Sequence, residues 1–256
     1  MANNQGKNYT TKTEHLLLAE LQEGSVVGFS QLGELNRRLR LTSKGNLPLL
    51  AASLVRKNQL YRIRKGKYFV NRGKPVDPFR LGPEIFHGYN AFSSALYLHG
   101  WRTEAPVFHY VACVKGSGRR RLGNFTFISV SMGKAALGDT EVGGYRVSSP
   151  AKTLFDCFLF PKYSGGAQGI LQALSLSRLG GADWDEFLTY LPLAGKSDLQ
   201  RMGFLLEKSG VAPKRVLGAV RRRLGKPATV RLDPVFPARG RLDAKWRLIE
   251  NIPLGG

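Results

Sequence analysis

The stretch NLPLLAASLVRKNQLYRIRKGKYFV, Asn46 to Val70, decides the fold of the first third of this chain. Leu47, Leu50, Ala51 and Leu54 recur at i, i+3, i+4 and i+7, which predicts a helix with one buried stripe and Ser53, Arg56 and Lys57 facing outward. Pro48 fits the first turn, where an amide hydrogen has no helical partner. Leu60 to Ile63 and Lys67 to Val70 then predict two β arms around Arg64-Lys65-Gly66, with Gly66 supplying a positive φ. A basic helix followed directly by a basic hairpin is how a winged helix-turn-helix meets DNA. Arg62, Arg64, Lys65 and Lys67 are expected to grip phosphates, as are Arg56 and Lys57 near the helix end. Asn46, Leu49 and Ser53, earlier on the outward side, are expected at base edges, where an asparagine can read adenine.

Upstream, Thr11 and Glu14 have the spacing of a capping box ahead of Leu17, Leu18 and Leu21. Ser30 is the expected N-cap of a second helix, with Leu32, Leu35 and Leu39 inward and Arg37, Arg38 and Arg40 outward. Residues 1–80 hold fifteen Lys and Arg against five Asp and Glu, nearly half of the whole chain's formal charge of +21. Such an excess calls for a polyanionic partner. The domains expected are a winged helix-turn-helix over 1–75, a Pro- and Gly-rich linker over 76–84, and an α+β domain over 85–256.

In the second domain, Ala91 to His99 reads as helix, with His99 ahead of Gly100 at its end. Phe108 to Val114 and Asn124 to Met132 read as strands joined by a hairpin-like loop, Lys115 to Gly118, and Tyr145 to Val147 as a further short strand. Helices are expected after Pro150 and over 169–176, 183–190, 199–208 and 215–224, with a last strand over Lys245 to Ile252. Arg119, Arg120 and Arg121 are either a second phosphate-binding patch or a solvated hairpin tip. Arg221, Arg222 and Arg223 suit the C-terminal end of a helix, where the helix dipole favours cations.

Two runs carry a resemblance: GYNAFSSALYLHG, Gly88 to Gly100, and YRVSSPAKTLFD, Tyr145 to Asp156. Together, in this order and behind a winged helix, they resemble the AbiEi family, the antitoxins and transcriptional regulators of abortive-infection, type IV toxin-antitoxin systems. The resemblance covers nearly the whole chain. It implies a mixed α/β antitoxin domain that carries the neutralising activity and a nucleotidyltransferase-like toxin as partner, with or without a stable complex. It also implies autorepression through operator repeats in double-stranded DNA.

Other functional classes are weaker in the sequence. No run of eighteen apolar residues exists and residues 1–5 are polar, so a cytoplasmic protein without a membrane partner is expected. Cys113 and Cys157 are expected as buried, unpaired thiols. His15, His87, His99 and His109 lack metal-ligand spacing, Gly116 and Gly118 stand without a Walker lysine, and a Cys157–His99 nucleophile pair needs the fold to make it. No metal, cofactor or catalytic residue is therefore expected. Asp233, Asp243 and Lys245 partly match the acid, acid-x-Lys spacing of Mg²⁺-dependent nucleases, which makes a DNA-targeted nuclease one alternative. A plain winged-helix transcription factor with a ligand or dimerisation domain is the other.

Overall fold

A computed structural model describes residues 10–254; the polar start at residues 1–5 lies outside them. The protein is α+β and divides into two compact units, one ending at His87 and the other starting at Gly88.

The first unit runs α1 (Lys12–Ala19), β1 (Val26–Gly28), α2 (Phe29–Leu39), α3 (Leu47–Arg56), β2 (Leu60–Arg64), β3 (Lys67–Val70) and α4 (Pro78–Phe86). The capping box forms as expected: Glu14 N–H donates to Thr11 Oγ1 at 3.2 Å, and Thr11 N–H donates to Glu14 Oε2 at 2.6 Å. Leu17, Leu32, Leu47, Leu54 and Leu60 close the core between the helices and the sheet. Each such leucine contributes about 1.5–3 kcal/mol relative to leaving it in water. The sheet order is β1-β3-β2, antiparallel throughout, so the hairpin is anchored by a strand that three residues were too few to reveal by periodicity.

Two expectations need correction here. Gly28, not Ser30, sits at the N-cap of α2, where its N–H donates to Gln31 Oε1 at 2.7 Å and Ser30 falls inside the first turn. The linker expected over 76–84 is mostly helix α4. Asp77 caps it by accepting from the Phe79 and Arg80 amides, and Pro78 at its first position pre-sets φ. A Pro-rich composition there marks a helix start rather than a flexible connection, and the unit boundary falls after His87.

The second unit begins with β4 (Gly88–Asn90), α5 (Phe92–Leu98), β5 (Phe108–Cys113), β6 (Gly118–Leu122), β7 (Phe125–Ser131), β8 (Asp139–Val142) and β9 (Tyr145–Ser148). These strands form one mixed sheet, order β6-β7-β5-β4-β9-β8. Gly88 is required by close approach: a Cβ there would lie 1.9 Å from the Ala112 carbonyl oxygen on β5. β5 and β7 are neighbours but parallel, so Lys115 to Gly118 does not join them as a hairpin. The chain first forms β6, which pairs antiparallel with β7 at the sheet edge. Parallel neighbours cannot be joined by a tight turn.

Five helices follow: α6 (Pro150–Leu159), α7 (Gly166–Leu176), α8 (Gly181–Tyr190), α9 (Lys196–Ser209) and α10 (Lys214–Leu224). Their core includes Phe155, Phe158, Phe187, Met202 and Trp246, all fully buried or nearly so. A small sheet of β10 (Val230–Arg231), β11 (Arg241–Asp243) and β12 (Leu248–Glu250), order β10-β12-β11, closes the unit. The last strand is shorter than the expected 245–252, because Asp243 Oδ1 accepts the Trp246 N–H at 2.8 Å and turns the chain.

Candidate nucleic-acid interface

In α3 the apolar stripe lies where the spacing put it, with Leu47, Ala51 and Leu54 buried and Leu50 half-buried. The outward face holds Asn46, Leu49 and Arg56, with Leu49 68% exposed. Asn46 occupies the N-cap, exposed, and its side chain caps no amide of the helix.

Ser53 and Lys57 are not on that face. Ser53 Oγ donates to Glu14 Oε1 and Lys57 Nζ to Glu14 Oε2, both at 2.6 Å, and Glu14 is only 2% exposed. Burial works to raise the Glu14 pKa, but the hydrogen bonds from Lys57, Ser53 and Thr11 outweigh it and hold the carboxyl below its ordinary value. Ser53 and Lys57 therefore join α3 to α1. Helical spacing alone treats residues 53 and 57 as solvent-facing because it does not know which neighbour lies beside the helix. Glu14, which the local spacing marks only as a capping-box residue, is the partner of both side chains.

The hairpin forms with Lys65 and Gly66 as its turn, Gly66 at φ +69°, and a register shift between Arg62 and Arg64. Arg62, Arg64 and Lys65 are exposed, and Lys67 is half-buried. The Arg64 guanidinium lies against the His87 ring nitrogen, at the end of α4, so this cation braces the hairpin within its own unit. Arg72 is also structural: its guanidinium donates to the Leu18 and Leu21 carbonyls at 2.9 and 2.5 Å and closes the end of α1. Arg37, Arg40 and Lys44 are exposed ahead of α3, and Arg38 pairs with Glu20.

The arginine triplet is neither a hairpin tip nor a uniform patch. Arg119 and Arg121 are exposed on edge strand β6, Arg119 with its guanidinium carbon 5.2 Å from the Phe108 ring centroid. Arg120 alternates to the other face, opposite fully buried Phe127, and burial lowers its pKa. Arg221, Arg222 and Arg223 are exposed in the last turn of α10.

The two family-like motifs converge in the second unit. Lys152 and Asp156, one helical turn apart on α6 and both without solvent exposure, form an ion pair, and Lys152 Nζ donates to Tyr89 OH at 3.3 Å. Burial raises the Asp156 carboxyl to about 6, against the opposing pull of Lys152. Around it, Asn90 Nδ2 donates to the Arg146 carbonyl at 2.9 Å, the His99 imidazole contacts the Ser148 carbonyl at 2.8 Å, and Ser148 and Thr153 share a hydroxyl bond of 2.6 Å. The motif residues thus clamp β4, β9 and α6 together in a region closed to solvent. A Lys–Asp pair at i, i+4 inside a helix with apolar neighbours was the signal for it.

The other candidate chemistries are not assembled. Cys157 is fully buried beside Ser164, with its thiol pushed up to about 12 by burial, while His99 stacks on Trp101. Asp233 accepts the Val235 N–H in a turn, Asp243 caps the turn at Trp246, and Lys245 pairs with Glu207. Among the described residues no three His, Cys, Asp or Glu side chains come together as a metal site, and no helix is long and apolar enough to cross a membrane. A cavity of about 240 Å³ is lined by Phe158, Ile170, Leu205 and Leu232, with Lys162, Asp198, Arg201 and Asp233 as its charged groups. Arg201 Nε donates there to the Arg231 and Leu232 carbonyls at 3.0 and 3.2 Å.

Neither protein-family models nor curated protein sequences give a match to this chain. Among solved structures it is similar to the crystal structure of the RV2827C protein from Mycobacterium tuberculosis, with a TM-score of 0.66 and 14% identity over 93% of this chain and 89% of that one. The likeness is one of fold.

Proposed function

We propose that this protein is a DNA-binding antitoxin and repressor without catalytic activity of its own. The observation that carries the DNA reading is the pairing of α3, with Asn46, Leu49 and Arg56 outward, and a hairpin that exposes Arg62 and Lys65. Arg56, Arg62 and Lys65 neutralise phosphates of double-stranded DNA and set the register. Asn46 reads base edges, and Leu49 meets a thymine methyl group. Ser53 and Lys57 take no part, and Arg64 acts by bracing the hairpin.

The antitoxin half of the proposal is supported by the resemblance of Gly88–Gly100 and Tyr145–Asp156 to the AbiEi family. In that reading the second unit counters a nucleotidyltransferase-like toxin, the first represses the shared operon through operator repeats, and the protein works in the cytoplasm. The test is to express the adjacent reading frame alone, with the protein, and with its Lys65→Glu variant. Toxicity of the neighbour, rescue by both forms, and loss of promoter repression only in the variant are expected. A harmless neighbour removes the antitoxin claim and leaves the DNA-binding one standing.

The cavity beside Arg201 favours a second reading, a transcription factor whose second unit takes a small apolar ligand. Rescue from a toxic neighbour has no place in it.

A further inference from the structure

One face of the six-stranded sheet is only half covered, and its composition is unusual. On β5 the side chains alternate: His109 and Val111 are buried, whereas Phe108 and Tyr110 are half-buried on the opposite face. The strand registers place Thr126 and Ile128 of β7, and then Arg119 and Arg121 of edge strand β6, in the same two rows as Phe108 and Tyr110. The short 3-10 helix Pro161–Tyr163 extends the row, with the Tyr163 ring 5.0 Å from that of Tyr110 and Lys162 Nζ 4.8 Å from the Tyr163 centroid. Beneath these rings lies fully buried Phe92, 6.2 Å from Tyr110 and 5.3 Å from Tyr163, which holds the two tyrosines in fixed planes.

We infer that this face, with Phe108, Tyr110 and Tyr163 as platforms and Arg119, Arg121 and Lys162 around them, binds a single-stranded nucleic acid. Unstacked bases lie on aromatic rings regardless of sequence, while flanking cations follow the phosphates. Duplex DNA would use the arginines but has no exposed base faces for the rings. The charge is complementary: Arg119, Arg121 and Lys162 are exposed, and Arg102 also lies close enough to lower the tyrosine pKa that burial raises at Tyr110. Glu104, paired with Arg102 at 3.8 Å, is the acid that partly offsets them. The inference stands apart from the DNA reading of the first unit and uses none of its residues.

Fluorescein-labelled U12 RNA, dT12 DNA and a 12-base-pair duplex, titrated with the full-length protein at 50 mM salt, test it. Binding of either single strand is expected, and whichever is preferred names the source. Phe108→Leu, which keeps an apolar side chain but removes the ring, is expected to weaken single-strand binding about tenfold and leave duplex binding unchanged. Arg119→Glu with Arg121→Glu, both at exposed positions, should weaken it further and flatten its salt dependence. Tryptophan fluorescence confirms that each variant is folded, since all three tryptophans lie in this unit. Absence of single-strand binding by the native protein at micromolar concentration, or full affinity in folded Phe108→Leu, overturns the inference. Because the duplex is measured alongside, that outcome leaves the first unit's reading untouched.

Discussion

Removing the Glu14 carboxylate should loosen the first unit and nothing else. Glu14 is 2% exposed and accepts from the Thr11 amide, Ser53 Oγ and Lys57 Nζ, each at 2.6 Å. Hydrogen bonds to a charged group contribute about 1.5–3 kcal/mol each in isolation, and loss of a helix cap costs about 1 kcal/mol. Lys57 is 22% exposed and can turn its ammonium to water, so its share is small. Glu14→Ala is therefore expected to cost about 2–4 kcal/mol, and Glu14→Gln, which keeps the shape and the cap, about 1–2 kcal/mol. Hydrogen exchange reads this directly. Amides of α1 and α3 should lose roughly 30- to 1,000-fold of protection in Glu14→Ala. Tryptophan fluorescence is the control, because Trp101, Trp184 and Trp246 all lie beyond His87. The sign of the pH effect follows from the depressed pKa of Glu14. Its stabilisation is complete above the ordinary carboxyl value and is lost as pH falls through the lower folded one, so native protection drops in that acid range while Glu14→Gln does not share the drop. Unchanged protection of α1 and α3 in either variant would mean that Glu14 does not hold the two helices together and would return Ser53 and Lys57 to the solvent face.

Three further outcomes can be checked together. Gly203→Ala places a Cβ 2.1 Å from the Trp246 ring, so the core around that ring must shift; a fall in Tm with an altered tryptophan emission is expected, and a native-like Tm would contradict the packing. Lys152→Met alone leaves Asp156 buried without its partner and should cost about 3–5 kcal/mol, whereas Lys152→Met with Asp156→Leu should recover most of it in a denaturant titration. Cys113 and Cys157 are buried, and burial raises both thiol pKa values; labelling by a thiol reagent should be slow in the native protein and fast after denaturation, and rapid native labelling would show an opening at α6 or β5.

The helices were the most legible part of the fold, because apolar spacing at i, i+3 and i+4 persists over ten or more residues in α3, α9 and α10. Short strands such as β1, β4 and β10 carry two or three residues each, too few for a period of two to register. β6 escaped because three arginines look like a loop, yet at a sheet edge alternating exposure suits them. α4 was hidden by its own prolines. At the candidate interface, composition identified the right segment but not which cations are committed. Ser53 and Lys57 are held by a residue some forty positions away in the chain, and Arg64 by His87. Local spacing contains no such information. The Lys152–Asp156–Tyr89 cluster shows the converse, since both of its motifs stand in the sequence and only folding brings them together.

If the hairpin and the outward face of α3 hold duplex DNA, affinity must depend on both. The most direct test is the affinity of the full-length protein for a duplex from upstream of its own gene, measured against salt for the native form, Lys65→Glu and Asn46→Ala. A steep native salt slope is expected, with a slope shallower by about one and weaker binding to every sequence in Lys65→Glu, and altered sequence preference at similar slope in Asn46→Ala. Native protein that does not bind duplex at 50 mM salt, or Lys65→Glu with unchanged affinity and slope, would contradict it.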